Sequence, residues 1–132
     1  IVRDELNAAF LARCRKSIPA ADEFQLNWTL LNLRKAGKLV IETLDLVASI
    51  VKPGLKTEDI NTLVHDFTIQ NHAIPAPLNY RGFPKSVCVS VNDVICHGIP
   101  GDYRLADGDI VNIDITSILD GYYADASKMD RD

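Results

Sequence analysis

Residues 110–129 read IVNIDITSILDGYYADASKM, in which apolar and polar side chains alternate on either side of an Asp-Gly pair. Alternation of this kind is typical of β-strands that bury one face, and Asp-Gly favours a tight two-residue turn. We therefore predict a β-hairpin with strands from Ile110 to Leu119 and from Tyr122 to Met129, turning at Asp120-Gly121. This hairpin makes at least part of the fold an antiparallel sheet.

The hairpin carries two aspartates whose relative position follows from strand alternation. Asp114 shares a face with Thr116, whereas Ile113 and Ile115 point to the opposite face and into the core. If the turn has an even number of residues, Asp125 lies opposite Thr116 and diagonal to Asp114. Diagonal neighbours are about 7–8 Å apart at the backbone, so both carboxylates could reach metal ions spaced about 3.5–4 Å apart, as in two-metal hydrolases.

Geometry alone favours a simpler interpretation of these carboxylates, in which they only solvate the outer face of an antiparallel sheet. An odd number of turn residues would place Asp125 on the core face and exclude a site shared with Asp114. The metal-site hypothesis therefore depends on the sequence that surrounds the hairpin.

Helical patterns occupy the first half of the chain. Apolar spacing predicts a short amphipathic helix from Val2 to about Arg15 and a longer helix from about Leu26 to Val51, which Pro53-Gly54 would end. A third helix is predicted to begin after an N-cap at Thr57, and its apolar residues recur at helical spacing as far as Phe67.

Strand-like sequence replaces these helical patterns in the second half. Prolines, glycines and β-branched residues become common beyond His72, and the run from Val87 to Val91 is typical of a strand. The predicted architecture is therefore α+β, with helices first and a mainly antiparallel sheet after them.

Composition argues against several classes of function. The 132 residues are 47% hydrophobic and 24% charged, which is the balance of one soluble globular domain. Eighteen acidic residues against fourteen lysines and arginines give no broad positive field, so nucleic acid is a poor candidate partner. The longest apolar stretch, from Leu44 to Val51, is too short to span a bilayer, and we expect no membrane association.

The number and spacing of the cysteines indicate the cellular compartment of the protein. Cys14, Cys88 and Cys96 are odd in number and lack the C-x-x-C spacing of a zinc site, so neither a disulfide framework nor a zinc knuckle is expected. This pattern favours a cytoplasmic location.

Three motifs in a fixed order extend the analysis beyond the hairpin. They are NYRGFPKSVC at residues 79–88, VNDVICHGIP at residues 91–100 and DGDIVNID at residues 107–114. Together they resemble the type I methionine aminopeptidases, over a region from about Leu33 to Met129. The resemblance implies the amino-terminal half of a pita-bread fold, in which two pseudo-symmetric α+β halves surround a curved antiparallel sheet. Residues 26–132 would then form the half-domain and residues 1–25 an N-terminal helical extension.

The resemblance also implies roles for the polar residues. Asp114 and Asp125 match two aspartates that ligate metal in the family. His97 matches a histidine that contacts the substrate beside the metals without binding them. The alternative for His97 is a loop imidazole whose hydrogen bonds are satisfied by the backbone.

A substrate pocket is implied by three further residues. Tyr80, Phe83 and Cys88 match positions that line the pocket for the methionine side chain, which should be apolar and aromatic. Ordinary core packing is the alternative for each of them, and Cys88 is expected to be an apolar wall without a nucleophilic role. The main-chain carbonyls of Asn92 and Val94 resemble a monovalent-cation loop of the family.

Two departures from the family pattern concern the rim of the pocket. Arg81 stands where many members have histidine, and Tyr123-Ala124 stands where many have a His-Gly pair. Neither position holds a metal ligand in the family, so these departures are expected to change the rim more than the chemistry.

The implied reaction is hydrolytic removal of the N-terminal methionine from nascent chains, with a water activated by two divalent ions as the nucleophile. Manganese, iron, cobalt and zinc are all compatible with such ligands. Family members take a histidine and two glutamates from a later half that this sequence does not contain, so we expect the chain alone to be incomplete and inactive. The alternative is a non-catalytic, truncated half that acts as a binding or dimerising module, either as a homodimer or with a separate C-terminal half.

Overall fold

The computed structural model describes residues 20–131, with side chains from residue 23 to residue 130. In chain order its elements are α1 (Ala20–Ala48), α2 (Thr57–Gln70), β1 (Ile74–Pro75), a 3₁₀ turn (Tyr80–Gly82), β2 (Cys88–Val91), β3 (Ile110–Leu119) and β4 (Tyr122–Arg131). Helices that precede an antiparallel sheet confirm the predicted α+β class. The helix predicted from Val2 to about Arg15 lies outside the described residues.

β3 and β4 form the predicted hairpin. Leu119 pairs with Tyr122, so the turn has two residues between the strands. Both turn residues have positive φ, 51° at Asp120 and 83° at Gly121, as the tight turns that match strand twist require. β4 continues to Arg131, beyond the predicted end of the strand.

β3 is the central strand of the sheet. It pairs with β4 along one edge, and β2 and β1 share the other edge, all antiparallel. In this register Cys88 lies opposite Asp114, and Ile74 lies opposite Ile118. Within the described residues β4 pairs only with β3, so its outer edge has no strand partner there.

The core lies between the helices and one face of the sheet. Its buried residues come from both helices and from two strands: Val40, Leu44 and Val47 of α1, Ile60 and Val64 of α2, Val89 of β2, and Val111, Ile113 and Ile115 of β3. Burial of these apolar side chains is the main term that stabilises the fold. The core face of β3 is the predicted one, so its polar face remains available for a site.

The bounds of α1 differ from the prediction at both ends. The helix begins at Ala20, not at about Leu26, because no residue between Pro19 and Leu26 breaks a helix. It ends at Ala48, and the Ser49 hydroxyl then donates to the Leu46 carbonyl at 2.6 Å. No helix within residues 20–131 is long and apolar enough to span a membrane.

The predicted N-cap of α2 is wrong by one residue. Lys56 is the N-cap, and its backbone N–H donates to the Asp59 carboxylate at 3.2 Å. Thr57 is the first helical residue, and its hydroxyl is used elsewhere. It accepts from Gly101 N at 2.9 Å and donates to Gly101 O at 3.0 Å. The Thr57 hydroxyl therefore bonds to a residue distant in sequence and does not cap its own helix.

The described residues divide after Asn32 into two compact units, residues 20–32 and residues 33–131. In the described part of the first unit, the rings of Phe24 and Trp28 stack with centroids 6.5 Å apart. Asn32 Nδ2 donates to the Trp28 carbonyl at 2.9 Å. The predicted boundary between residues 25 and 26 stays a prediction.

Candidate metal and substrate site

Asp114 and Asp125 lie on the sheet face that does not enter the core. Thr116 pairs with Asp125, which confirms the predicted even turn and places Asp125 diagonal to Asp114. The Thr116 hydroxyl donates a hydrogen bond to Asp125 Oδ1. The hairpin by itself therefore brings two carboxylates together on one polar face.

Asp114 is half-buried, and its surroundings disfavour the ionised form of its carboxyl group. Burial raises the pKa of Asp114, the neighbouring charge of Asp125 raises it further, and His97 acts in the opposite direction. The two carboxylates repel each other when both are ionised, so a bound cation would stabilise their ionised forms. Carboxylate oxygens are also ligands that divalent metals accept, so the two aspartates fit a metal site.

His97 belongs to the loop that follows β2, and its φ of 53° lies in the left-handed region. The next residue, Gly98, is held against β2 by hydrogen bonds from Val89 N to Gly98 O (2.9 Å) and from Gly98 N to Ser90 Oγ (3.1 Å). A Cβ on Gly98 would lie 2.0 Å from the Val89 carbonyl oxygen, so only glycine fits at this position. The backbone thus fixes the position of His97 beside the sheet.

The 3₁₀ turn presents the aromatic residues. Asn79, Arg81 and Gly82 all have positive φ, at 65°, 47° and 85°. Hydrogen bonds from Asn79 N to Phe83 O (2.8 Å) and from Phe83 N to Tyr80 O (2.9 Å) close the turn. Tyr80 is 63% exposed, so its ring is not a core side chain.

Cys88 lies opposite Asp114 and is only 8% exposed. Burial raises the pKa of the Cys88 thiol to about 11, and the charge of Asp114 adds to this shift. A thiol with this pKa is neutral near physiological pH, where it behaves as a small apolar group rather than as a nucleophile.

A cavity of about 910 Å³ brings these groups together. Its lining includes the predicted site residues Tyr80, Phe83, Cys88, His97, Asp114 and Asp125. Apolar side chains complete the wall, among them Ala76, Pro77, Pro84 and Ile99. One cavity thus combines carboxylates, an imidazole and an apolar surface, although the role of each residue stays a prediction.

Some lining residues were not predicted as site residues. Thr116 and Tyr123 share a strand face with Asp114 and Asp125, so strand alternation could have found them. Arg81 also lines the cavity, although the sequence suggested only a change at the rim. Contributions such as Ile99 depend on how distant loops pack, and no local pattern indicates them.

Asn92 and Val94 do not line this cavity. The Asn92 side chain links two residues near the start of β3, because its Nδ2 donates to Asp109 Oδ1 at 2.9 Å and its Oδ1 accepts from Ile110 N at 3.0 Å. The side chain of Asn92 therefore has a structural role in this loop, and the predicted cation-binding role of the carbonyls stays a prediction.

Among residues 20–131, no group of three or more histidine, cysteine, aspartate or glutamate side chains is arranged to hold a metal ion. The candidate metal site in this part of the chain therefore consists of two carboxylates with a nearby imidazole. A dinuclear centre needs more ligands than these.

Comparison with known proteins identifies the class to which this fold and cavity belong. Residues 32–129 match metallopeptidase family M24, and the chain belongs to that family. Within it, the chain is 58% identical over 99 residues to the methionine aminopeptidase of Rickettsia prowazekii, a match that covers 75% of this chain and 38% of that protein. The methionine aminopeptidase of Escherichia coli strain K12 is 50% identical over 99 residues, with coverage of 74% and 38%.

Solved structures agree with these sequence matches. The crystal structure of the Rickettsia prowazekii methionine aminopeptidase matches with a TM-score of 0.78 and 54% identity over 80% of this chain and 42% of that chain. The Thermotoga maritima methionine aminopeptidase matches with a TM-score of 0.73 and 34% identity over 75% and 40%. A prolidase from Pyrococcus horikoshii, at 18% identity and a TM-score of 0.63, shares the fold alone.

These matches confirm the resemblance to methionine aminopeptidases and the pita-bread fold class. The chain spans less than half the length of the relatives that it matches. The activity, substrates and partners of the whole relatives therefore do not transfer to it directly.

Proposed function

We propose that this chain contributes part of the active site of a metal-dependent methionine aminopeptidase, which removes N-terminal methionine from peptides or nascent chains. One observation carries the proposal: Asp114 and Asp125 converge on the polar face of the hairpin, inside a cavity that also contains His97 and an apolar wall. Membership of the metallopeptidase family supports the same chemistry.

Asp114 and Asp125 would hold the divalent metal in this proposal. Their mutual repulsion is the electrostatic feature that a cation would neutralise. When bound, a divalent metal supplies a Lewis acid that polarises a carbonyl oxygen and promotes the deprotonation of water. Manganese, iron, cobalt and zinc all remain compatible with this ligand set.

The other cavity residues would bind and orient the substrate. His97 lies beside the carboxylates, and its imidazole can form a hydrogen bond with the peptide without holding the metal. Tyr80, Phe83 and the neutral thiol of Cys88 would bind the methionine side chain, because an apolar wall suits a flexible thioether.

We also propose that the 132 residues by themselves do not turn over substrate. The described part of the chain offers two carboxylates and an imidazole, which are too few ligands for two metal ions. The remaining ligands would come from additional polypeptide, in the same chain or in a partner. The free cysteines Cys88 and Cys96 are compatible with action in the reducing cytoplasm.

Metal binding tests the proposal on the chain as it stands. In calorimetric titration with Mn²⁺, we expect weak binding by the wild type and a loss of about tenfold or more in affinity for Asp114→Asn, since a ligand charge is removed. Asp107→Asn is the matched control, because Asp107 is exposed and does not line the cavity. Equal affinities for the two variants would contradict the metal site.

Release of methionine from the peptide Met-Ala-Ser tests the incomplete site. Negligible turnover is expected from the purified 132-residue chain with added metal. Turnover that Asp114→Asn abolishes would show that this chain is sufficient for catalysis.

In a longer form that carries the remaining ligands, His97→Ala should lower turnover while metal content stays nearly unchanged.

A second candidate function is a non-catalytic binding or dimerising module. Within residues 20–131 the outer edge of β4 has no strand partner, which favours this function because exposed strand edges pair readily with other strands. A second copy of this chain or a separate C-terminal half would be the partner.

A further inference from the structure

Arg81 is a cationic residue in the wall of the cavity, and it belongs to a strained turn. Its φ of 47° is unusual for a residue with a long side chain, and Asn79 and Gly82 beside it also have positive φ. Strained backbone of this kind persists where surrounding structure fixes it, and it is common at ligand sites. The turn hydrogen bonds between Asn79 and Phe83 hold Arg81 at the cavity.

The guanidinium of Arg81 is not neutralised by a carboxylate within the described part of the chain. Its guanidinium lies 5.4 Å from the centre of the Tyr80 ring and forms no ion pair among the described residues. In contrast, Lys85 pairs with Glu58 at 2.7 Å, and Arg104 donates to the Gly54 carbonyl at 2.9 Å. Arg81 is thus a cation that lines a cavity and is available to a ligand.

The same cavity contains the two carboxylates, yet Arg81 pairs with neither Asp114 nor Asp125. Among the described residues Arg81 therefore keeps a positive charge without an ion-pair partner in this cavity, which is complementary to a negative group of a ligand. A peptide with a free amino group near the carboxylates would have its following residues available to reach the guanidinium. Arginine binds carboxylates with two parallel hydrogen bonds, which gives direction as well as attraction.

We propose that Arg81 is a specificity-determining residue that binds a carboxylate of the peptide substrate, beyond the methionine residue. This inference rests on the proposed function and adds a preference for acidic or very short peptides. The carboxylate can be the C-terminus of a dipeptide or an acidic side chain further along a longer peptide. Both sources present the same chemistry to Arg81.

A purely structural role for Arg81 would give a different result. If the guanidinium only supports the Tyr80 ring, its replacement should weaken all peptides to a similar degree. A carboxylate-binding role instead predicts a change in the preference between charged and neutral versions of one peptide. The ratio of two affinities therefore separates the roles.

The experiment measures binding of four peptides to the 132-residue chain by NMR titration, with and without Mn²⁺. One arm compares Met-Ala with Met-Ala amide, and the other compares Met-Ala-Glu amide with Met-Ala-Gln amide. In one or both arms, we expect the wild type to prefer the carboxylate by about threefold to tenfold. Arg81→Gln should reduce that ratio to about one, and Arg81→Lys should retain part of it because its charge remains.

Lys38→Gln is the matched control, since it removes an equal charge from an exposed position on α1 that does not line the cavity. Its ratios should equal those of the wild type. The arm that shows the preference identifies the source of the carboxylate. Equal ratios for wild type and Arg81→Gln in both arms, or no binding of any peptide, would overturn the inference.

Failure here differs from failure of the proposed function. Loss of the Arg81-dependent preference leaves the effect of Asp114→Asn on Mn²⁺ affinity untouched. Conversely, the metal site would be contradicted if Asp114→Asn left Mn²⁺ affinity unchanged. A carboxylate preference that is measured without Mn²⁺ and lost in Arg81→Gln would still stand in that case.

Discussion

At Cys88 the sheet register puts a thiol directly opposite a carboxylate, in a position where only 8% of the residue is exposed. The raised pKa of about 11 follows mainly from burial, and Asp114 adds to it. Cys96 differs, because it is exposed in the loop that carries His97. Two cysteines in neighbouring segments should therefore differ in reactivity.

We expect iodoacetamide to modify Cys96 at least about tenfold faster than Cys88 in the folded chain at pH 8, because only the thiolate reacts and burial also limits access. Peptide mass spectrometry measures both rates. The Cys88 rate should increase as the pH approaches 11, and in urea the two rates should converge. Comparable rates in the folded chain would show that Cys88 is not a buried, neutral thiol.

The raised pKa of Cys88 also predicts the direction in which the stability of the fold changes with pH. The folded pKa of Cys88 is raised from 9.0 to about 11, so the folded state binds this proton more tightly than the unfolded state. The contribution is fully present below about pH 9 and is lost as the pH rises toward 11. Cys88→Ser tests this, since its unfolding free energy should fall less than that of the wild type between these pH values.

At the scale of elements, the contact between the loop at Gly98 and strand β2 determines where His97 lies. Two hydrogen bonds join them, and the Val89 carbonyl leaves no room for a Cβ on Gly98. The loop and the strand are therefore one structural unit. A change at Gly98 should disturb both.

Gly98→Ala is expected to destabilise the chain by about 1–3 kcal/mol, because the added carbon forces the loop away from β2 and breaks both hydrogen bonds. Thermal unfolding followed by circular dichroism measures the effect. The control is Gly101→Ala in the same loop, where an added Cβ meets no atom within 4 Å. Equal melting temperatures for the two variants would mean that the close contact with Val89 is not a constraint.

For the molecule as a whole, the outer edge of β4 is the feature with the clearest consequence. This strand carries exposed Tyr123 and Met129, at 63% and 59%, and within the described residues only its inner edge is paired. Exposed strand edges with apolar side chains favour association with another strand. A closed dimer about a twofold axis would cover two such edges at once.

We therefore expect the 132-residue chain to form a homodimer, or to aggregate, at micromolar concentration. Sedimentation velocity at several concentrations in metal-free buffer measures this. Met129→Lys should shift the equilibrium toward monomer, since charge on an edge strand opposes pairing. Ile69→Lys makes the same change at an exposed position of α2 and should have little effect. A stable monomer at every concentration would contradict the prediction.

Local sequence was sufficient for the hairpin and for the convergence of its aspartates. Alternation assigned Ile113 and Ile115 to the core, and the Asp-Gly turn set the register that places Asp125 opposite Thr116. Both features depend on residues close in sequence, so the period-two alternation of side chains is enough to predict them. The ordered motifs were likewise sufficient to indicate the family.

Tertiary structure alone decided what surrounds those aspartates. The N-cap of α2 is Lys56 rather than Thr57, and the Thr57 hydroxyl bonds to Gly101, which is distant in sequence. A turn with positive φ places Arg81 in the wall of the cavity. The contact between Gly98 and Val89 holds His97 at the same cavity. Such contacts form only when separate segments pack, and side-chain periodicity carries no information about which distant loops will meet.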